Sequence, residues 1–109
     1  MDRAEKNEIL QSMGIPEEFY DSLFKEFMGS MDNWLSSLKA ALRENNFASL
    51  SKIAHSVKGV SANLRVYSIQ KYAGQIEMMG KQAVDPLEIA KSIEMMEESY
   101  LILKKEQKI

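Results

Sequence analysis

His55 is the only histidine in the chain, and the run that follows it reads Ser56-Val57-Lys58-Gly59-Val60-Ser61-Ala62-Asn63-Leu64. An ordinary imidazole is largely neutral near pH 7 and offers a lone pair to an electrophile. On a helix, Ala48, Ser51, Lys52, Lys58, Gly59 and Ala62 fall on the histidine's side at spacings of three, four or seven residues. These neighbours are either small or cationic. Small side chains leave the ring open to a partner approaching from outside, and Lys52 and Lys58 can offset the charge of an incoming anion. A glycine inside a helix costs about 1 kcal/mol relative to alanine, so Gly59 beside the histidine fits a need for close approach. The competing reading is an isolated surface histidine with unrelated neighbours.

The bulk composition narrows the alternatives. With 109 residues the chain is read as a single domain over residues 1–109, too short for a core plus a nucleotide-binding domain. A hydrophobic share of 45% and a charged share of 28% are those of a globular protein rather than a disordered one. The net charge of −2 argues against non-specific nucleic-acid binding. The absence of cysteine excludes disulfides, thiolate metal sites and thiol nucleophiles. Neither a signal peptide nor a run of roughly 20 apolar residues is present, so a cytoplasmic protein with no membrane role is expected. A di-iron site fails for want of a Glu-x-x-His pair, and the lysines and small residues around His55 speak against an apolar haem pocket.

The elements that must hold His55 read as helices throughout. Asp2, with Glu5 three residues later, caps a short first helix over about 2–13, which Gly14 stops. Tyr20, Phe24, Phe27, Met31, Trp34, Leu38 and Leu42 then keep one phase over residues 16 to 44. That pattern predicts one long helix, or two nearly collinear ones jointed at Gly29. Asn45-Asn46 form a turn. A second seam follows through Phe47, Leu50, Ala54, Val57, Ser61 and Leu64, and His55 lies beside it, facing outward.

After a turn near Arg65-Val66-Tyr67, a third stripe runs through Ile69, Tyr72, Ala73, Ile76 and Met79, closed by Gly80 and Lys81-Gln82. Asp85-Pro86 starts the last helix, whose stripe is Ile89, Ile93, Met96, Tyr100 and Leu103. The fold expected is all-α: an antiparallel up-and-down four-helix bundle over about 15–106 with a short extra N-terminal helix.

Several residues have plain readings. Met31, Met79 and Met96 fall on core stripes and fill space, as does Trp34. Met78 and Met95 fall off the stripes and suit a docking or dimer patch, although a monomer is the expectation for an acidic bundle with short loops. Lys104-Lys105-Glu106-Gln107-Lys108 reads as a solvated helix end whose cations complement the dipole.

Residues 54–64 resemble the signature of histidine-containing phosphotransfer (HPt) domains: histidine, any residue, an aliphatic, Lys-Gly, two small residues, two variable positions, an aliphatic and then glycine. His55, Val57, Lys58, Gly59, Ser61 and Leu64 match. Val60 stands where the family has Ser or Ala. Arg65 stands where it has the glycine that ends the helix, so a different turn or a longer helix is expected there. The resemblance extends over about residues 14–106.

The resemblance implies a phosphocarrier in which His55 accepts a phosphoryl group from the aspartyl phosphate of a response-regulator receiver domain, or from a sensor histidine kinase. It implies attack by Nε2, charge offset by Lys58, close approach at Gly59, and docking around Ala48, Ser51, Lys52, Ala62 and Arg65. The other ring nitrogen needs an acceptor. The family places a Gln or Glu there, which makes Glu77 the candidate and Gln75 the fallback. A plain solvated carboxylate is the alternative for Glu77. No cofactor is expected on this chain, Mg²⁺ belonging to the receiver domain, and the absence of a Gly-rich phosphate loop excludes an autonomous kinase. The alternative function is an HPt-like interaction module that binds a signalling partner without carrying phosphate.

Overall fold

A computed structural model describes residues 1–107, which form five α-helices and, among these residues, no strand. They are α1 (Arg3–Met13), α2 (Glu17–Arg43), α3 (Phe47–Asn63), α4 (Tyr67–Gln82) and α5 (Pro86–Glu106). Helix α2 packs on α3 and α5, α3 on α4, and α4 on α5, so these four helices enclose one core. Lys108 of the expected C-terminal cationic end lies outside the described residues.

The helix starts follow the sequence signals. Asp2 accepts a hydrogen bond from the Glu5 backbone N–H at 2.8 Å, Asn46 from Ser49 at 3.1 Å and Asp85 from Leu87 at 2.9 Å. The first helix buries none of its own residues and lies at the periphery. Ile9, Leu10 and Met13 pack half-buried against the core, and the helix's charged face adds ion pairs to α2: Arg3 and Lys6 each lie 2.9 Å from the Glu17 carboxylate, and Lys6 also reaches Asp21 at 2.6 Å.

The long helix α2 continues through Gly29 without a break, as one of the two expected forms. Its buried face is wider than a single stripe. Met28, Leu35 and Ala41 are buried beside Tyr20, Phe24, Phe27, Met31 and Leu38, whereas Trp34 and Leu42 are half-buried on the margin. The reason is that α2 faces two neighbours, α3 and α5, and one line of residues cannot serve both. On the other helices Leu50, Ala54, Val57, Ile69, Ala73, Ile76, Ile89, Met96 and Tyr100 are all buried, as their spacing requires. Met78 and Met95 are exposed.

Helix α4 closes at Gln82, within the expected Gly80-Lys81-Gln82 segment, with Gly80 itself still inside the helix. The stop is made by Ala83, at φ 50° in the left-handed region, where Val84 N–H reaches back to the Met79 carbonyl and Ala83 N–H to that of Gly80, each at 3.2 Å. The α3–α4 turn has the same construction. Val66 N–H bonds to Ser61 O at 2.8 Å and Arg65 N–H to Ala62 O at 3.1 Å, with Arg65 at φ 61°. Arg65 thus takes the left-handed conformation that suits a glycine, and α3 ends at Asn63 without running on. The Tyr20 hydroxyl pins this end of α3 by donating to the Leu64 carbonyl at 2.6 Å.

A Cβ in the left-handed region is unfavourable, and a glycine there relieves it. Ala83→Gly is therefore expected to stabilise the bundle by about 0.5–1 kcal/mol and to raise the melting temperature by about 2–6 °C. Thermal unfolding followed by circular dichroism checks this, and a lower melting temperature would refute the strain at Ala83.

Candidate phosphotransfer site

Helix α3 presents His55 with 68% of its side chain exposed, between the buried seam positions Ala54 and Val57. Twenty-two residues on, α4 presents Glu77, whose side chain is only 8% exposed. The two meet at 2.8 Å, His55 Nδ1 to Glu77 Oε2. A carboxylate can only accept, so Nδ1 carries the proton and donates it. That fixes the tautomer: Nε2 keeps its lone pair on the far side of the ring, away from the carboxylate.

Glu77 is a hub rather than a solvated carboxylate. The Lys58 ammonium lies 2.5 Å from its Oε1, and the Lys81 ammonium 3.4 Å from its Oε2. The Lys58 ammonium, with smaller contributions from the His55 ring and Lys81, holds the Glu77 carboxyl down at about 2 although burial opposes this. The carboxylate is therefore charged across the physiological range. The Lys58 stem reaches it by lying across Gly74, where a β-carbon would stand 3.5 Å from Lys58 Cδ.

Gln75, the alternative acceptor, is turned elsewhere. It accepts from the Ser92 hydroxyl of α5 at 3.5 Å. Ala48, Ser51, Lys52, His55, Glu77 and Lys81 line one shallow concavity. Lys81 was not singled out by the sequence, and its only signal there is a position four residues after Glu77 on the same helix face.

Two residues expected on the docking face are placed differently. Ser51 is buried, and its hydroxyl donates to the Glu77 backbone carbonyl at 3.2 Å, so it belongs to the floor of the site. The Arg65 guanidinium donates to the Asn63 carbonyl at 2.7 Å and reaches the Ser12 hydroxyl at 3.5 Å, linking the end of α3 to α1. Lys52 and Ala48 are exposed, and Ala62 is half-buried.

Gly59 is exposed, and a β-carbon built on it meets nothing within 4 Å. Nothing inside the protein requires a glycine there. Gly59→Ala is accordingly expected to stabilise the isolated chain by up to about 1 kcal/mol, since it removes only the helix-interior cost. On the phosphocarrier reading that the resemblance implies, the same variant paired with a phosphodonor receiver domain is expected to transfer several-fold more slowly. Chemical denaturation and a transfer time course on one preparation check both halves. A variant that gains stability and transfers at the wild-type rate would remove close approach as the role of Gly59.

The chain belongs to the Hpt domain family: the family model matches residues 22–100, which span α2 from its second turn to the last buried residue of α5. No curated protein and no solved structure matches it. Hpt domains are helical bundles that work with kinases and receiver domains in histidine phosphotransfer, and the helical bundle seen here is of that kind. Among the described residues no helix is long and apolar enough to cross a membrane.

Proposed function

We propose that this protein is a phosphocarrier of a two-component phosphorelay, taking a phosphoryl group on His55 Nε2 from a receiver-domain aspartyl phosphate or a sensor histidine kinase and passing it to a receiver domain. The observation that carries the reading is the 2.8 Å bond from His55 Nδ1 to a buried, charged Glu77, on a ring that is itself 68% exposed. Such a ring is oriented, accessible and free at one nitrogen only.

In the step proposed, the Nε2 lone pair forms the N–P bond while the P–O bond to the donor aspartate breaks, and that carboxylate departs with the bonding pair. The ring then carries positive charge, which Glu77 offsets through Nδ1–H. Lys58 and Lys81, both on Glu77, and Lys52, beside His55 in the same concavity, bring to the site the cations that balance the phosphoryl oxygens. Gly59 lets the donor come close. Lys58 changes partner in this account, from Glu77 to the phosphoryl group. In this account the nucleotide chemistry stays with the kinase, and Mg²⁺ is assigned to the receiver domain's acidic cluster.

The architecture proposed is the antiparallel up-and-down bundle, with connections of three residues reversing the chain between α2 and α3, α3 and α4, and α4 and α5. A monomer in the cytoplasm suits it. The test is transfer from a panel of phosphorylated receiver domains to this protein, scored for acid-labile, base-stable phosphate. Label on the protein is the expected result. Binding of a receiver with no label from any donor would overturn the reading in favour of a docking module.

A further inference from the structure

We propose that Ser51 and Gly80 form a positioning contact that sets the distance between His55 and Glu77, and through it the pose of the ring. The consequence for transfer rests on the phosphocarrier reading, whereas the consequence for the ring does not. Ser51 lies one turn before His55 on α3, and Gly80 lies three residues after Glu77 on α4. Both pairs therefore bridge the same two helices, about one turn apart.

The contact has two parts. Ser51, buried, donates its hydroxyl to the backbone carbonyl of Glu77 at 3.2 Å, which ties α3 to the residue that holds the ring. Gly80, also buried, makes room for that hydroxyl. A β-carbon on Gly80 would overlap Ser51 Oγ and would stand 3.1 Å from Leu50 Cδ2 and 3.4 Å from the Phe47 carbonyl oxygen. Gly80 is not among the residues at positive φ, so its glycine serves close approach and not backbone conformation. In this it differs from Gly59, which faces open space.

The 2.8 Å bond between His55 and Glu77 depends on the same helix separation. A methyl group wedged in at position 80 acts within about a turn of it. A separation of about 1 Å more takes that pair beyond hydrogen-bond range and frees the ring to exchange tautomers. Lys81 shares α4 with Glu77, and the long Lys58 stem can follow the carboxylate where the short imidazole cannot, so the loss would fall on the histidine.

The test uses the full chain and the variants Gly80→Ala, Ser51→Ala and the two combined. Long-range ¹H–¹⁵N spectra of His55 at alkaline pH report the tautomer, and phosphoramidate serves as a small phosphodonor that needs no partner. The wild type is expected to show one protonated and one free ring nitrogen. In Gly80→Ala the two ¹⁵N shifts are expected to converge, with phosphohistidine forming about tenfold more slowly. Removing the Ser51 hydroxyl in the double variant is expected to restore the shifts and bring the rate to within about threefold of wild type.

Wild-type ring shifts in a folded Gly80→Ala, or no recovery in a folded double variant, would overturn the proposal. Should Gly80→Ala not fold, Ser51→Ala decides: it removes the tie and leaves empty the volume that the methyl fills in the double variant, so converging ring shifts are expected there and unchanged ones would overturn the proposal equally. If the wild type itself takes no phosphate, the phosphocarrier reading fails while the spectra still judge the positioning contact.

Discussion

His55→Gln is expected to abolish phosphate acceptance from every donor while leaving the helical content and the cooperativity of unfolding unchanged. The effect is total because the chain has a single histidine and no cysteine, so no other side chain of comparable nucleophilicity is available to substitute. The fold is spared because the ring is 68% exposed and takes no part in the core, which is built from Leu50, Ala54, Val57 and Ser61 on the other side of α3. A glutamine at position 55 retains an amide N–H that can donate toward Glu77, so the carboxylate keeps a neighbour that can donate to it. The measurement pairs a transfer assay with denaturation of both proteins. Residual acid-labile label on the variant would place the acceptor elsewhere, and a collapse of the fold would make His55 a structural residue after all.

How much of this was legible in the sequence differs between fold and site. Asp2, Asn45-Asn46, Asp85-Pro86 and the apolar stripes announced the helices because caps and periodicity are local, and local signals survive without knowledge of neighbours. The width of the buried face on α2 did not survive, since Met28 and Leu35 are buried by a second neighbour that only the assembled bundle supplies. Glycine was ambiguous for a related reason. Gly14 ends a helix at φ 65°, Gly80 admits a neighbouring hydroxyl and Gly59 faces open space, yet all three look alike in a string of letters. The α4 stop is carried by Ala83, which has no stop signal of its own.

The site shows the same division. His55, Lys58 and Gly59 lie within one helical turn and so could be read together, and Glu77 followed from the family's spacing. Ser51 sits on the histidine's side of α3, but a helical wheel does not say which part of that side the next helix will cover. It was therefore placed with the docking residues, and it is in fact buried against α4. Lys81 needed Glu77 to be recognised as a buried carboxylate first, because only a buried anion makes a cation four residues away worth noticing.

The second large effect is expected at Glu77, and it has a pH signature. Its folded carboxyl is held at about 2 against an ordinary 4.5, so the protonated form is disfavoured in the native state. The resulting stabilisation is fully present above about pH 4.5 and is lost as pH falls through about 2. A drop of that size corresponds to about 3 kcal/mol where nothing screens the charges, and because Lys58 and Lys81 are partly solvated the stabilisation is about 1–2 kcal/mol.

Glu77→Gln is expected to lose that amount at pH 7, with the deficit relative to wild type shrinking toward zero near pH 2. Urea unfolding at a series of pH values measures it, and a deficit constant from pH 7 to pH 2 would show that the carboxylate's charge is not what stabilises the site. Phosphate acceptance is expected to separate the carboxylate's two roles. Glutamine can still accept from Nδ1–H and keep the tautomer, but it cannot offset the charge that the ring gains as the N–P bond forms, so acceptance slows about tenfold. Alanine removes the acceptor as well, leaving the ring free to turn, and is expected to slow acceptance about a hundredfold. Equal rates for the two variants would mean that only charge matters at position 77 and that the ring needs no acceptor to hold Nε2 toward its donor.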